Sequence, residues 1–153
     1  MKRMISVLLI IVLCLSVSGC LQREQTYFGF DKEEFTIVKE TDTHGGFLGD
    51  GEYYFVLDCS ANAQKARELV SGWKKLPLSD NITHFMPSDE HEDGSYYYRF
   101  PEINNGVYLF YDRHYEAVDP YSDADYQNRH SVNYSIAVYD YDTERLYYYE
   151  HDT

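Results

Sequence analysis

The 153-residue chain carries 26 acidic residues against 13 lysines and arginines, a formal net charge of −13. A surface this acidic repels nucleic acid and anionic lipid headgroups, which excludes functions that depend on attraction to either. With 44% hydrophobic and 17% aromatic residues, the chain has the apolar content that a folded core requires and a disordered chain lacks.

The first twenty residues read MKRMISVLLIIVLCLSVSGC. Lys2 and Arg3 give a positive start, Ile5 to Leu15 an apolar run broken by Ser6, and Ser16 to Gly19 a small-residue exit. That order is the order of an export signal. The apolar run is short for a helix that spans a hydrocarbon core, which takes about 20 such residues. Val17-Ser18-Gly19-Cys20 resembles the lipobox of bacterial lipoproteins. The resemblance implies cleavage before Cys20, acylation of its sulfur, and a mature protein on the extracytoplasmic side of the cell membrane. Membrane lipid is then its first partner. One acyl chain holds a protein only marginally, at ~0.8 kcal/mol per buried methylene, whereas several hold it firmly. Loss of residues 1–19 leaves 134 of the 153 residues and, without Lys2 and Arg3, a charge of −15 in place of −13.

Residues 20–34 lack periodicity and read as the lipidated N-terminus and a tether, with a single acidic domain over 35–153. Phe35 to Glu40 is the first expected strand, with Phe35 and Ile37 on one face. Between it and the next strand lie Gly45, Gly46, Gly49 and Gly51, a spacing that calls for a tight or flexible turn. Glu52 to Asp58 alternates Tyr53, Phe55 and Leu57 with Tyr54 and Val56, apolar on both faces as in a central strand. Ala63, Ala66, Leu69, Val70 and Trp73 recur at helical spacing, so a helix is expected over Ala61 to Trp73 with Ser60 or Asn62 at its start.

Beyond a turn at Leu76 to Asn81, Ile82 to Met86 reads as a short strand or edge, and the acidic Pro87 to Ser95 as a loop. Tyr96 to Phe100 and Val107 to Asp112 read as strands, with Asn105-Gly106 as a hairpin signal between them. Ser122 to Arg129 is a candidate short helix. Ser131 to Asp140 alternates, with Val132, Tyr134, Ile136 and Val138 on one face, and Arg145 to Glu150 closes a C-terminal hairpin. The expected fold class is α+β, a mostly antiparallel sheet with one main helix packed on one face.

Chemistry is harder to find. There is no phosphate-binding glycine loop, no Gly-x-Ser-x-Gly turn and no His-Glu-x-x-His, and nothing in the sequence calls for a cofactor. With Cys14 in the signal and Cys20 under lipid, Cys59 is the one remaining thiol, expected to be buried and structural. Strand ends often carry sites, so His44, Asp112 and His114 are the candidate ligand-binding group. Asp119, Asp123 and Asp125 are candidate metal ligands in an acidic loop, without the central glycine and later glutamate of an EF-hand.

The 17 tyrosines serve either a twisted sheet or an aromatic recognition face. The stretch from the Thr43–Gly51 loop to the C-terminal hairpin resembles a small lipoprotein family to which no function attaches. Two functions are therefore weighed. One is a non-enzymatic binding, inhibitory or accessory lipoprotein with a cationic, peptide or protein partner. The other is an extracellular enzyme or metal-binding module whose site is assembled from distant loops. A pocket joining His44, Asp112 and His114 would point to the second, and a flat tyrosine-lined face to the first.

Overall fold

The computed structural model of the chain describes residues 28–45, 49–85, 100–114, 117–124 and 131–153, and not the side chains of residues 84 and 85. The export signal, Cys20, the first four residues of the expected strand at Tyr96 to Phe100, and Asp125 with the rest of the expected helix to Arg129 lie outside the described residues.

Six strands form one sheet: β1 (Thr36–Asp42), β2 (Gly51–Asp58), β3 (Lys74–Lys75), β4 (Gly106–Asp112), β5 (Tyr134–Asp140) and β6 (Arg145–Asp152). Their order is β1-β2-β6-β5-β4-β3, and every neighbouring pair is antiparallel. Among the described residues two α-helices accompany them, α1 (Ala63–Leu69) and α2 (Asp80–Phe85). The architecture is the expected α+β class, with α1 as the main helix on one face.

The double-sided apolar pattern explains the core. Phe55 and Leu57 of β2, Leu146 and Tyr148 of β6, and Ala137 and Tyr139 of β5 share one face, covered by Ala66 and Val70 of the α1 segment. Tyr54, Val56, Tyr147, Tyr149, Ile136 and Val138 share the other, covered by Ile82 of α2 with Leu76, Leu78, Phe100 and Ile103 beside it. The last strand in sequence thus lies in the middle of the sheet, and its tyrosines are core residues. Cys59 is fully buried, and burial pushes its thiol up to about 12. Among the described residues no helix is long and apolar enough to cross a membrane.

The structure departs from the sequence reading in several places. Ile82 sits in α2 rather than in a strand. Ser79 starts this helix: its Oγ accepts from Ile82 N at 3.3 Å and its carbonyl from Thr83 N at 2.9 Å. Among the side chains described in this helix, Ile82 is the apolar one that docks on the sheet. Asn105-Gly106 is not a hairpin tip, because Gly106 opens β4 and pairs with Asp140. Glycine is required there by proximity, since a Cβ would lie 2.3 Å from the Tyr139 carbonyl oxygen.

The expected helix over Ala61 to Trp73 is shorter, with a 3-10 turn over Ser60–Asn62 before it and a turn at Val70 after it. Trp73 lies beyond that turn, edge-on to Phe28 and Phe30 at 5.8 and 5.9 Å. Those two phenylalanines belong to residues read from sequence as tether, yet Phe30 is fully buried in the core. Lys32 follows them into the sheet, where its Nζ donates to Glu40 Oε1 at 2.8 Å and meets the Tyr53 hydroxyl.

Candidate metal centre

One end of the sheet gathers the exit of β1, the entry of β2, the exit of β4, the entry of β5 and the exit of β6. Side chains alternate along a strand, so Tyr148, Glu150 and Asp152 of β6 point to the face that α1 covers. Arg113, one residue past β4, joins them from one side. His44, in the β1–β2 connection, joins them from the other.

His44 is held by its own turn. Asp42 Oδ1 accepts from the His44 backbone N at 2.9 Å and lies 2.7 Å from its ring Nδ1. The ring is thereby aimed so that Nε2 lies 3.1 Å from Asp152 Oδ2. Gly51 makes the approach possible, because a Cβ at that position would lie 2.6 Å from His44 Cα.

Arg113 lies between the two acidic residues of β6. Its guanidinium reaches Asp152 Oδ1 at 2.7 Å, Asp152 Oδ2 at 3.2 Å and Glu150 Oε1 at 3.3 Å. It also donates to the carbonyls of Tyr134 at 3.2 Å and His151 at 3.0 Å. Burial works against its charge, but Glu150 and Asp152 outweigh burial and hold it above its usual range. Glu150 Oε2 accepts from the buried Tyr148 hydroxyl at 2.6 Å. Burial first, and the Glu150 charge second, raise the Tyr148 phenol well above its ordinary value, so it remains a donor.

The chemical outcome is a converging donor set. One ligand atom each from His44, Glu150 and Asp152 lies within 4.8 Å of the others, on side chains at most 18% exposed. One imidazole nitrogen with two carboxylate oxygens suits a borderline divalent ion such as zinc or manganese better than calcium, which takes oxygen alone. The Asp42–His44 pair supplies the second-shell carboxylate that orients a ligating imidazole.

The residues singled out from sequence are divided by the fold. His44 is in the cluster. Asp112 is 3% exposed and turned by strand alternation to the face opposite Arg113. Its Oδ1 accepts from His114 N at 2.9 Å, which shapes the exit from β4. In the acidic loop, Asp119 Oδ1 accepts from Tyr121 N at 2.9 Å and the Asp123 side chain accepts from Ser79 Oγ. Asp125, the third of that expected set, lies outside the described residues.

Glu150, Asp152, Arg113 and Asp42 were not picked out. A signal existed for the first two, since positions 148, 150 and 152 must share a face once β6 is read through to Asp152 rather than stopped at Glu150. No family model matches the chain, and no curated protein or solved structure gives a significant match.

Proposed function

We propose that this chain is a membrane-anchored, extracytoplasmic lipoprotein whose folded domain is a metal-binding module, with one divalent ion held by His44, Glu150 and Asp152. The anchoring part rests on the resemblance of residues 17–20 to a lipobox behind a charged and apolar start. The metal part rests on one observation: three ligand atoms from the β1–β2 connection and the end of β6 converge within 4.8 Å.

Charge supports the same reading. Asp42, Glu150 and Asp152 bring three negative charges and Arg113 one positive charge. The remainder equals the charge of one divalent cation. Asp42 and Asp152 oxygens lie 2.7 and 3.1 Å from the two His44 ring nitrogens, so the imidazole is held at both ends. Seven tyrosines, Tyr54, Tyr108, Tyr134, Tyr139, Tyr147, Tyr148 and Tyr149, are buried in the core and serve the sheet rather than a recognition face.

The test is calorimetric titration of the purified full chain with zinc and with manganese, alongside His44→Ala. Saturable one-to-one binding that the substitution weakens by about tenfold or more supports the module, since even an outer-shell partner is worth that much and a ligand at least as much. Binding that His44→Ala leaves unchanged places any metal elsewhere. The anchor is tested separately, by metabolic labelling with a fatty acid in wild type and in Cys20→Ser.

A further inference from the structure

We propose that Arg113 is a fixed internal cation that sets which ion this centre accepts, a positioning and selectivity residue rather than a group displaced by metal. The inference rests on the metal reading above and goes further by assigning the charge class of the ligand.

Three features of the geometry carry it. First, Arg113 is anchored independently of the carboxylates. Its Nη2 donates to the carbonyls of Tyr134 and His151 at 3.2 and 3.0 Å, at the entry of β5 and the exit of β6. Moving the guanidinium out would leave those contacts unmade, on a side chain only 11% exposed. Second, its fork grips Asp152 through both oxygens, at 2.7 and 3.2 Å, and Glu150 at 3.3 Å. Each carboxylate oxygen has two lone pairs, so this grip fixes the carboxylates while leaving acceptor capacity toward His44. A lysine cannot reproduce a planar fork.

Third, the charge count is specific. Among the described residues, the charged and ligating groups that meet at the centre are Asp42 and His44 from the end of β1 and the β1–β2 connection, Arg113 from the end of β4, and Glu150 and Asp152 from β6. With a neutral imidazole they carry two net negative charges. A divalent ion neutralises them, whereas a trivalent ion leaves one positive charge among half-buried groups. Loss of Arg113 reverses that preference. The pair formed by Glu52 and His151, 3.7 Å apart, lies on the opposite face of β6, and Glu52 reaches the centre as a Coulombic attraction on His44 weaker than its attraction to His151.

The experiment compares zinc with terbium, a trivalent ion whose emission is sensitised by nearby tyrosine, on the full chain and its variants. Arg113→Gln is expected to shift the terbium-to-zinc affinity ratio toward terbium by at least about tenfold. That is the scale of one unit charge acting over several ångströms at protein-like dielectric. Arg113→Lys keeps the charge and loses the fork, so both ions bind more weakly and the ratio stays within about threefold. Should Arg113→Gln fail to fold by circular dichroism, Asp42→Asn carries the test from a side chain 58% exposed, and the ratio must move away from terbium. Zinc binding with a ratio unmoved by Arg113→Gln, or by Asp42→Asn where the first variant does not fold, overturns the role of Arg113 and leaves the metal centre standing. No zinc binding by the wild-type chain overturns the centre itself, and the role of Arg113 with it.

Discussion

His44 and Asp152 are 108 positions apart in the chain and meet at 3.1 Å across the end of the sheet. Neither is placed by the other. His44 is aimed by Asp42 and by the glycine at position 51, and Asp152 by the register of β6 and by Arg113. A contact built from two independently supported sides is preorganised, which is the condition for a ligand to bind without first paying to assemble its site.

Asp152 is the acidic group shared by His44 and Arg113, so Asp152→Asn should act twice. It leaves a mostly buried guanidinium with less compensation, at a cost of about 1–3 kcal/mol in urea unfolding without metal. It should also remove the stabilisation by zinc. That stabilisation is ~2.7 kcal/mol in the wild type at a hundredfold excess over Kd and is reversed by a chelator. Equal zinc shifts in both proteins would count against Asp152 as a ligand.

Gly51→Ala tests the approach of the β1–β2 connection without touching a ligand. The new Cβ would lie 2.6 Å from His44 Cα and 2.7 Å from its N, both backbone atoms that cannot swing away. His44 must move. Zinc affinity should fall by about tenfold or more, the scale of a disturbed outer-shell support. An unchanged binding isotherm would show that the loop absorbs the methyl group elsewhere.

Phe30 belongs to the folded core, as does Phe28 before it. It is fully buried against Phe35 and Trp73, so Phe30→Ala should cost ~3–5 kcal/mol in chemical unfolding. A cost below about 0.5 kcal/mol, typical of surface positions, would return residues 28–34 to the tether.

Alkaline pH should destabilise the fold through its tyrosines. Burial pushes Tyr54 up to about 12, and burial together with Glu40 does the same for Tyr53. An unfolded tyrosine ionises near 10. Above that pH the unfolded chain gives up protons that the folded chain keeps, so stability is whole below about pH 10 and declines toward pH 12. Phenolate absorbance of the folded protein should rise in this window later than that of the denatured protein, and unfolding midpoints should drop over the same range.

Cys59 should resist alkylation. Its thiol is fully buried and raised to about 12 by burial, so at neutral pH the reactive thiolate is scarce and shielded. Mass spectrometry of the folded chain should show Cys59 unmodified under conditions that label it fully in denaturant.

Much of this fold was legible because its strands repeat one simple signal. Tyr53 to Leu57 alternates two apolar sets and Tyr134 to Val138 one apolar set with Ser135 and Ala137, and both pairs of faces are those found in the structure. Helix boundaries were less legible. Nothing local says that Ser79 caps α2, since a serine in a turn and a serine at a helix start look alike. The site was legible only at His44. Asp112 sits at a strand end as expected, but one step of alternation sends it to the wrong face. Its neighbour Arg113 does the work, and only strand pairing reveals that. Asp152 was hidden by an early stop to β6, and Glu150, though inside the expected strand, shows its role only once Asp152 and Arg113 join its face.

The placement of β6 has a consequence for how the chain reaches this state. Residues 145–152 supply the strand that joins β1–β2 to β3–β4–β5, and β2 and β5 have no direct pairing with each other. Until the final eight-residue strand is available, the sheet exists only as two separate fragments, each with an open edge. The longest-range pairing, Gly51 with Asp152, must therefore form late and at high entropic cost, a topology that folds slowly. The chain must extend as far as Asp152 before the central strand and the two-sided core can come into being together.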